Sequence, residues 1–375
     1  MEFSSGLQYK FAGLTLLWHS ARMPTAFSIR WAAAVAGMCA LLPGCATRPT
    51  VQAALAPLPE RITSFGAVTA DGWLYAFGGH KGERHAYSIE MVSGSFHRLR
   101  LSEGRAWETL PSATAGQGLA LVAHRRDLYR IGGMAARNHE GAKQDLYSLA
   151  LVQRFDVRRQ VWEDIAPLPA PRSSHDAVVL GHKLYVAGGW QMRGAKTKPV
   201  WPTNALVLDL ADPQNGWKEI PQPFQRRALA LAALGSRVFC IGGMDSKDEP
   251  TLAVDVYDTA SGSWTKGPDL PEGTFKGFGC SATAQNGRIY VTTMQGNLLR
   301  LSLDSSRWEI VGRLEHPRIA HRLVTAGARQ LIALGGEDGE EDKTPGLELL
   351  TPAASPLPVE KTATTTTQSV TTTQP

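Results

Sequence analysis

Five cations in this chain share one address. Arg61, Arg172, Arg226, Lys276 and Arg318 each stand 16 or 17 residues before a position that is, in all cases but one, the first of two consecutive glycines. His175 and His321 follow Arg172 and Arg318 by three residues. Cations gathered round one opening focus the field and draw an anion. A guanidinium holds a carboxylate or phosphate through two parallel bonds, and a neighbouring imidazole can move a proton. The competing reading is that an arginine repeated at a turn braces the turn or the adjacent unit. The spacing alone leaves both open.

Other candidates lie in loops. Residues 190–204 carry Trp190 and Trp201 together with Arg193, Lys196 and Lys198. Exposed indoles stack on sugar rings or anchor a protein partner, or Trp201 packs the loop down. Residues 134–145 include Arg137, His139, Glu140 and Lys143. Residues 337–342 hold five carboxylates, without the alternating ligand spacing of an EF-hand, and read as a solvated loop. No Cys-x-x-Cys pair or zinc spacing exists, so no metal or other cofactor is implied. Cys240 and Cys280 read as two buried free thiols.

The elements that must position these residues repeat along the chain. Apolar strands end in Gly78-Gly79, Gly132-Gly133, Gly188-Gly189, Gly242-Gly243 and Gly335-Gly336, and a sixth ends in Thr293-Met294. The first positions are 54, 56, 54, 51 and 42 residues apart. A second marker keeps the same order: Trp107, Trp162, Trp217, Trp264 and Trp308. Each opens a strand that ends in a Leu-Pro or similar turn. A period near 50 residues with four strands per unit is that of a propeller blade.

The glycine doublet, the aromatic before it and the downstream Trp resemble the kelch family over residues 55–350. The resemblance implies an all-β, six-bladed kelch β-propeller. The last unit lacks a fourth-strand Trp, while residues 51–59 end in Ala56-Pro57-Leu58-Pro59, like Ala166-Pro167-Leu168-Pro169 after a fourth strand. The ring is therefore expected to be closed by an N-terminal strand. In such a ring the loops after the doublets and the turns into each first strand share one face. The expected ligand-binding set on it is Arg61, Arg172, His175, Arg226, Lys276, Arg318, His321, Trp190 and Trp201.

The ends read differently from this body. Residues 31–42 are apolar, too short to span a bilayer, and lead into Leu42-Pro43-Gly44-Cys45. This resembles a bacterial lipobox, with Pro43 off-pattern. Residues 1–45 are thus expected to be a leader with Cys45 lipidated, and Met23 is a plausible start. Residues 50–352 form the propeller. Residues 353–375, with threonine at 364–367, read as a disordered tail. The implied location is extracytoplasmic, in the periplasm or at the outer membrane, with lipid holding the body to the membrane.

A 43% hydrophobic and 19% charged chain can build a sizeable core. Its net charge of +5 contains no dense Lys/Arg run, so nucleic acid is not an expected partner. The favoured reading is a binding module that recognises a glycan, peptide or protein. The alternative is a sugar-modifying isomerase, because sialic-acid epimerases share the six kelch blades. His175, Arg172 and His321 would then be the catalytic candidates on an anionic sugar. Galactose oxidase shares the propeller too, but no Tyr/His set for its copper is present.

Overall fold

A computed structural model describes residues 55–358, apart from residues 274, 339–341 and 345. The leader, Cys45 and residues 359–375 lie outside the described residues.

Six antiparallel sheets follow one another. Blade 1 comprises Gly66–Ala70, Trp73–His80, Val92–Arg100 and Trp107–Leu110; blade 2 comprises Ala120–His124, Asp127–Ile131, Val152–Asp156 and Val161–Asp164. Blade 3 is Ser173–Leu180, Lys183–Trp190, Asn204–Asp209 and Lys218–Pro221; blade 4 is Ala230–Leu234, Arg237–Ile241, Val254–Asp258 and Ser263–Lys266. Blade 5 is Ser281–Gln285, Arg288–Thr292, Asn297–Leu301 and Trp308–Arg313; blade 6 is Arg322–Ala326, Gln330–Leu334 and Leu347–Leu350. The first strands are rich in Ala and Val because they crowd the channel. The second strands are buried on both faces and carry the bulkiest apolar residues.

The core is six apolar slabs, one in each interface between neighbouring blades. One of them packs Ile332 and Leu334 of blade 6 against Phe65 and Leu74 of blade 1, so the ring is closed. The tryptophans brace each seam. Trp162, Trp217, Trp264 and Trp308 donate their indole N–H to the carbonyls of Pro111, Ala166, Pro221 and Pro268, at or just beyond the end of the preceding blade's fourth strand, at 2.7 to 2.9 Å.

The N-terminal segment takes the same role at the last seam. Trp107 donates to the Ala56 carbonyl at 3.0 Å, and Leu58 enters the slab just as Leu168 does elsewhere. The expected strand is not found there: residues 55–59 are irregular, and blade 6 has three strands among the described residues. Residues 51–54 are outside that range. At the other end, Ala353 and Leu357 donate to the Val311 and Ile310 carbonyls of blade 5, so the start of the Thr-rich segment is docked.

The glycine doublet follows from crowding at the inter-blade contact. Gly78 has φ 67°, and a Cβ on it would lie 2.6 Å from the Gly116 carbonyl oxygen of the next blade. Blade 5 dispenses with the doublet because its chain turns at once, with Gly296 N–H on the Thr293 carbonyl.

Candidate binding site

The innermost turns join in a closed circle of backbone hydrogen bonds. Ser64, Gly118, Ser174, Ala228, Gly279 and Ala320 each donate an N–H to the carbonyl of a neighbouring blade's member, at 2.6 to 3.0 Å. All six have φ between +50° and +62°, which turns amide and carbonyl sideways round the ring. Below this circle Arg322 reaches from blade 6 to Asp176 of blade 3 at 3.1 Å and donates to the Phe65 and Leu119 carbonyls. Asp176 in turn accepts from the Leu231 N–H. These bonds floor the channel, and what lies above the floor is a cup open to the loop face.

The regular arginines do not line it. Arg172, Arg226 and Arg318 stand two residues before the circle and are 2, 4 and 0% exposed. Each guanidinium donates to the carbonyl of its blade's first doublet glycine: Gly188, Gly242 and Gly335. Their remaining donors reach Asn204, the Ala253 carbonyl with Asp255, and the Gly346 carbonyl with Glu348. The chain leaves the strand ladder at that glycine, and its buried carbonyl needs a donor. Burial pushes Arg172 down to about 10, so it remains a cation. In blade 2 the same duty falls to Arg130, which rises from the second strand to donate to Gly132. Gly116 holds the arginine position there, and a Cβ on it would lie 3.1 Å from the Arg130 guanidinium.

The rest of the expected set is scattered. Arg61 is exposed at the rim, ion-paired with Asp342 at 3.3 Å. Lys276 borders a separate surface hollow beside Asp245, Glu249 and Asp269. His175 and His321 are buried under the circle, and burial beside Arg172, Arg318 and Arg322 holds both down to about 3. The His321 ring bonds Thr292 at 2.6 Å. Neither imidazole faces the cup. Cys240 and Cys280 are free buried thiols, pushed up to about 12.

Other residues of the same turns face the cup. Thr63, Gln117, Arg227, Phe278 and Ile319, each just before a circle residue, line a cavity of about 560 Å³. A second tier is the residue after each doublet: His80, Met134, Trp190, Met244 and Glu337. Backbone bridges such as Gln117 with Met134 lock the two tiers in register. Successive strand residues point to opposite sides, so Arg226 enters the wall and Arg227 enters the cup. In blades 4 and 6 the cup residue, Arg227 or Ile319, stands one position beyond the arginine that repeats.

Arg227 lies 4.3 Å over the Trp190 ring and contacts Met244 Sδ at 2.9 Å and Asp248 at 3.3 Å. Desolvation lowers its pKa. Trp190 packs in addition on Trp201, with centroids 5.7 Å apart, so Trp201 secures the loop. Across the cup Arg84 pairs with Glu337 at 2.8 Å. His80 Nε2 is 3.1 Å from the Ala86 carbonyl and so carries the proton, while Nδ1 accepts from Lys343. Burial brings His80 down to about 4. The Tyr87 ring packs against it at a tilt of 47°, with centroids 4.9 Å apart. One wall is a raised hairpin, Met134–Ala136 with Leu146–Ser148, capped by Tyr87 and Met192. Its tip turns Arg137 onto Tyr147 and His139 onto Glu90, away from the cup.

Comparison with known proteins agrees with this architecture. The KLHDC2/KLHL20/DRC7 Kelch-repeats domain matches residues 64–296. The chain belongs to the kelch-repeat family. Human Kelch repeat and BTB domain-containing protein 12 is 27% identical over 197 residues, 49% of this chain and 31% of that protein. Kelch-like protein terF of Aspergillus terreus is 27% identical over 222 residues, 58% of this chain and 46% of that protein. The kelch chain thus spans under half the length of these relatives. A solved structure titled "Structure of YjhT" superposes with a TM-score of 0.66 at 14% identity, covering 82% of this chain and 99% of that one. That likeness concerns the fold.

Proposed function

We propose that this kelch propeller is a binding module that takes a peptide segment of a partner protein in its loop-face cup. The observation that carries this reading is the cup itself: about 560 Å³, floored by the hydrogen-bonded circle and walled by Tyr87, Trp190, Phe278 and three methionines. Rigid aromatics with adaptable thioethers suit an apolar side chain in an extended peptide. A glycan is less well served, because Trp190 already packs on Arg227 and Trp201. Display selection of random peptides against the wild-type propeller tests this. Enriched peptides are expected to lose binding with Trp190→Ala and Met134→Ala and to keep it with Arg61→Ala. Enrichment that ignores both cup substitutions refutes the reading.

The isomerase alternative loses its residues, since Arg172, His175 and His321 are buried outside the cup. Mutarotation of sialic acid by the purified protein would revive it, with other groups acting. We infer further, from the leader, that the propeller works outside the cytoplasm on a lipid anchor at Cys45. Cys45→Ser is then expected to move the protein from the membrane to the soluble fraction; an unchanged distribution refutes the anchor.

A further inference from the structure

Three residues that line the cup each carry a buried donor with no acceptor among the described residues: Gln117 Nε2, Trp190 Nε1 and Arg227 Nε. Gln117 is only 3% exposed. The three residues come from three consecutive blades, and their side chains border one cavity. A buried donor left unpaired is a standing cost to the folded state, and a molecule entering the cup can relieve it at these three, unlike at Arg130 Nε or Arg226 Nε inside the walls.

The charges nearby indicate what kind of acceptor fits. Arg227 already has Asp248, Arg84 has Glu337, His80 is neutral, and the Lys343 ammonium behind it is turned onto His80 Nδ1 and its carbonyl, with Glu337 as the nearby opposite charge. What lacks a partner is hydrogen-bonding capacity rather than charge. Resting on the peptide-binding reading, we propose that Gln117, Trp190 and Arg227 form a subsite for an uncharged main-chain carbonyl oxygen, with the adjoining side chain seated on Met134 and Met192. Those two thioether chains bend without backbone movement, which gives an entering carbonyl room to reach the donors.

The test uses N-acetyl-L-leucinamide as a neutral probe and N-acetyl-L-leucine as its carboxylate counterpart, read on protein carrying ¹³C-methyl methionine. The amide is expected to shift the Met134 and Met192 methyl signals saturably, with little dependence on salt. Gln117→Leu and Trp190→Phe are each expected to weaken it about tenfold, and Gln117→Leu to leave the apparent Tm of the free protein unchanged or raise it by about 2 °C. A residue that merely held the fold would lower the Tm. Unchanged amide affinity in both variants, or a clear fall in Tm for Gln117→Leu, overturns the subsite. So does a carboxylate that binds much tighter with steep salt dependence. If selected peptides bind while the amide ignores both substitutions, the subsite fails and the peptide reading survives. If no peptide is enriched and neither probe moves the cup methyls, both fail.

Discussion

At the scale of single residues, Arg226 and Arg227 divide two tasks between adjacent positions. Arg226 closes three backbone carbonyls and Asp255 inside the wall, whereas Arg227 stacks on Trp190 in the cup. Removing a buried guanidinium strands its partners, so Arg226→Met is expected to cost about 3 kcal/mol. Lys266 still reaches Asp255 at 2.7 Å and limits the loss. Arg61→Met breaks only a solvent-screened rim pair and is expected to change stability by under about 0.5 kcal/mol. Urea unfolding measures both; equal effects would contradict the division into wall and rim. The site was hard to read at this scale because the repeat advertises structure. Arginine recurs where blades 3, 4 and 6 need a glycine carbonyl closed, while cup residues differ from blade to blade: Thr63, Gln117, Arg227, Phe278, Ile319. Arg130 shows the converse. Its blade lacked the repeated arginine near Gln117, and only three-dimensional structure reveals the replacement from the next strand.

At the scale of elements, the blades were legible because most share three devices: a doublet where the chain turns beside its neighbour in all but blade 5, a fourth-strand Trp for the seam in all but blade 6, and a leucine-proline turn after blades 1, 2 and 4. The closing seam was legible in its Ala-Pro-Leu-Pro match, but pairing into a strand was not decided by it. Four residues of linker can brace a Trp without forming a ladder. If residues 55–59 are a working part of the ring, Trp107→Phe should cost the same as Trp217→Phe, about 1 kcal/mol for one lost hydrogen bond with the ring face kept. Both indoles donate to a linker alanine, at 3.0 and 2.9 Å. Chemical denaturation of the two variants decides it. A silent Trp107→Phe beside a destabilising Trp217→Phe would mean that the N-terminal linker only rests on the seam.

At the scale of the whole molecule, closing the ring places ionisable groups where water cannot reach them, and this sets how stability follows pH. His175 and His321 are held at about 3 and His80 at about 4, against an ordinary value of 6.5. Below pH 6.5 the unfolded chain takes up protons at these three sites and the folded one does not. Stability is therefore full above 6.5 and falls as pH drops towards 4. The carboxylates held down to about 2, Glu90, Asp156 and Asp304, act only below their own ordinary range near 4, which leaves the interval from 6.5 to 4.5 to the histidines. On the alkaline side Cys240 and Cys280 are raised from 9 to about 12. The unfolded thiols ionise first, and stability falls again above pH 9. Thermal unfolding followed from pH 4.5 to 10 is expected to give a plateau between 6.5 and 9 with a decline on each side. His321→Gln keeps a partner for Thr292 and removes one titrating site, so its acid decline should be shallower than that of the wild type. An acid limb as steep as the wild type's in both His321→Gln and His175→Asn would show that the buried imidazoles are not its source.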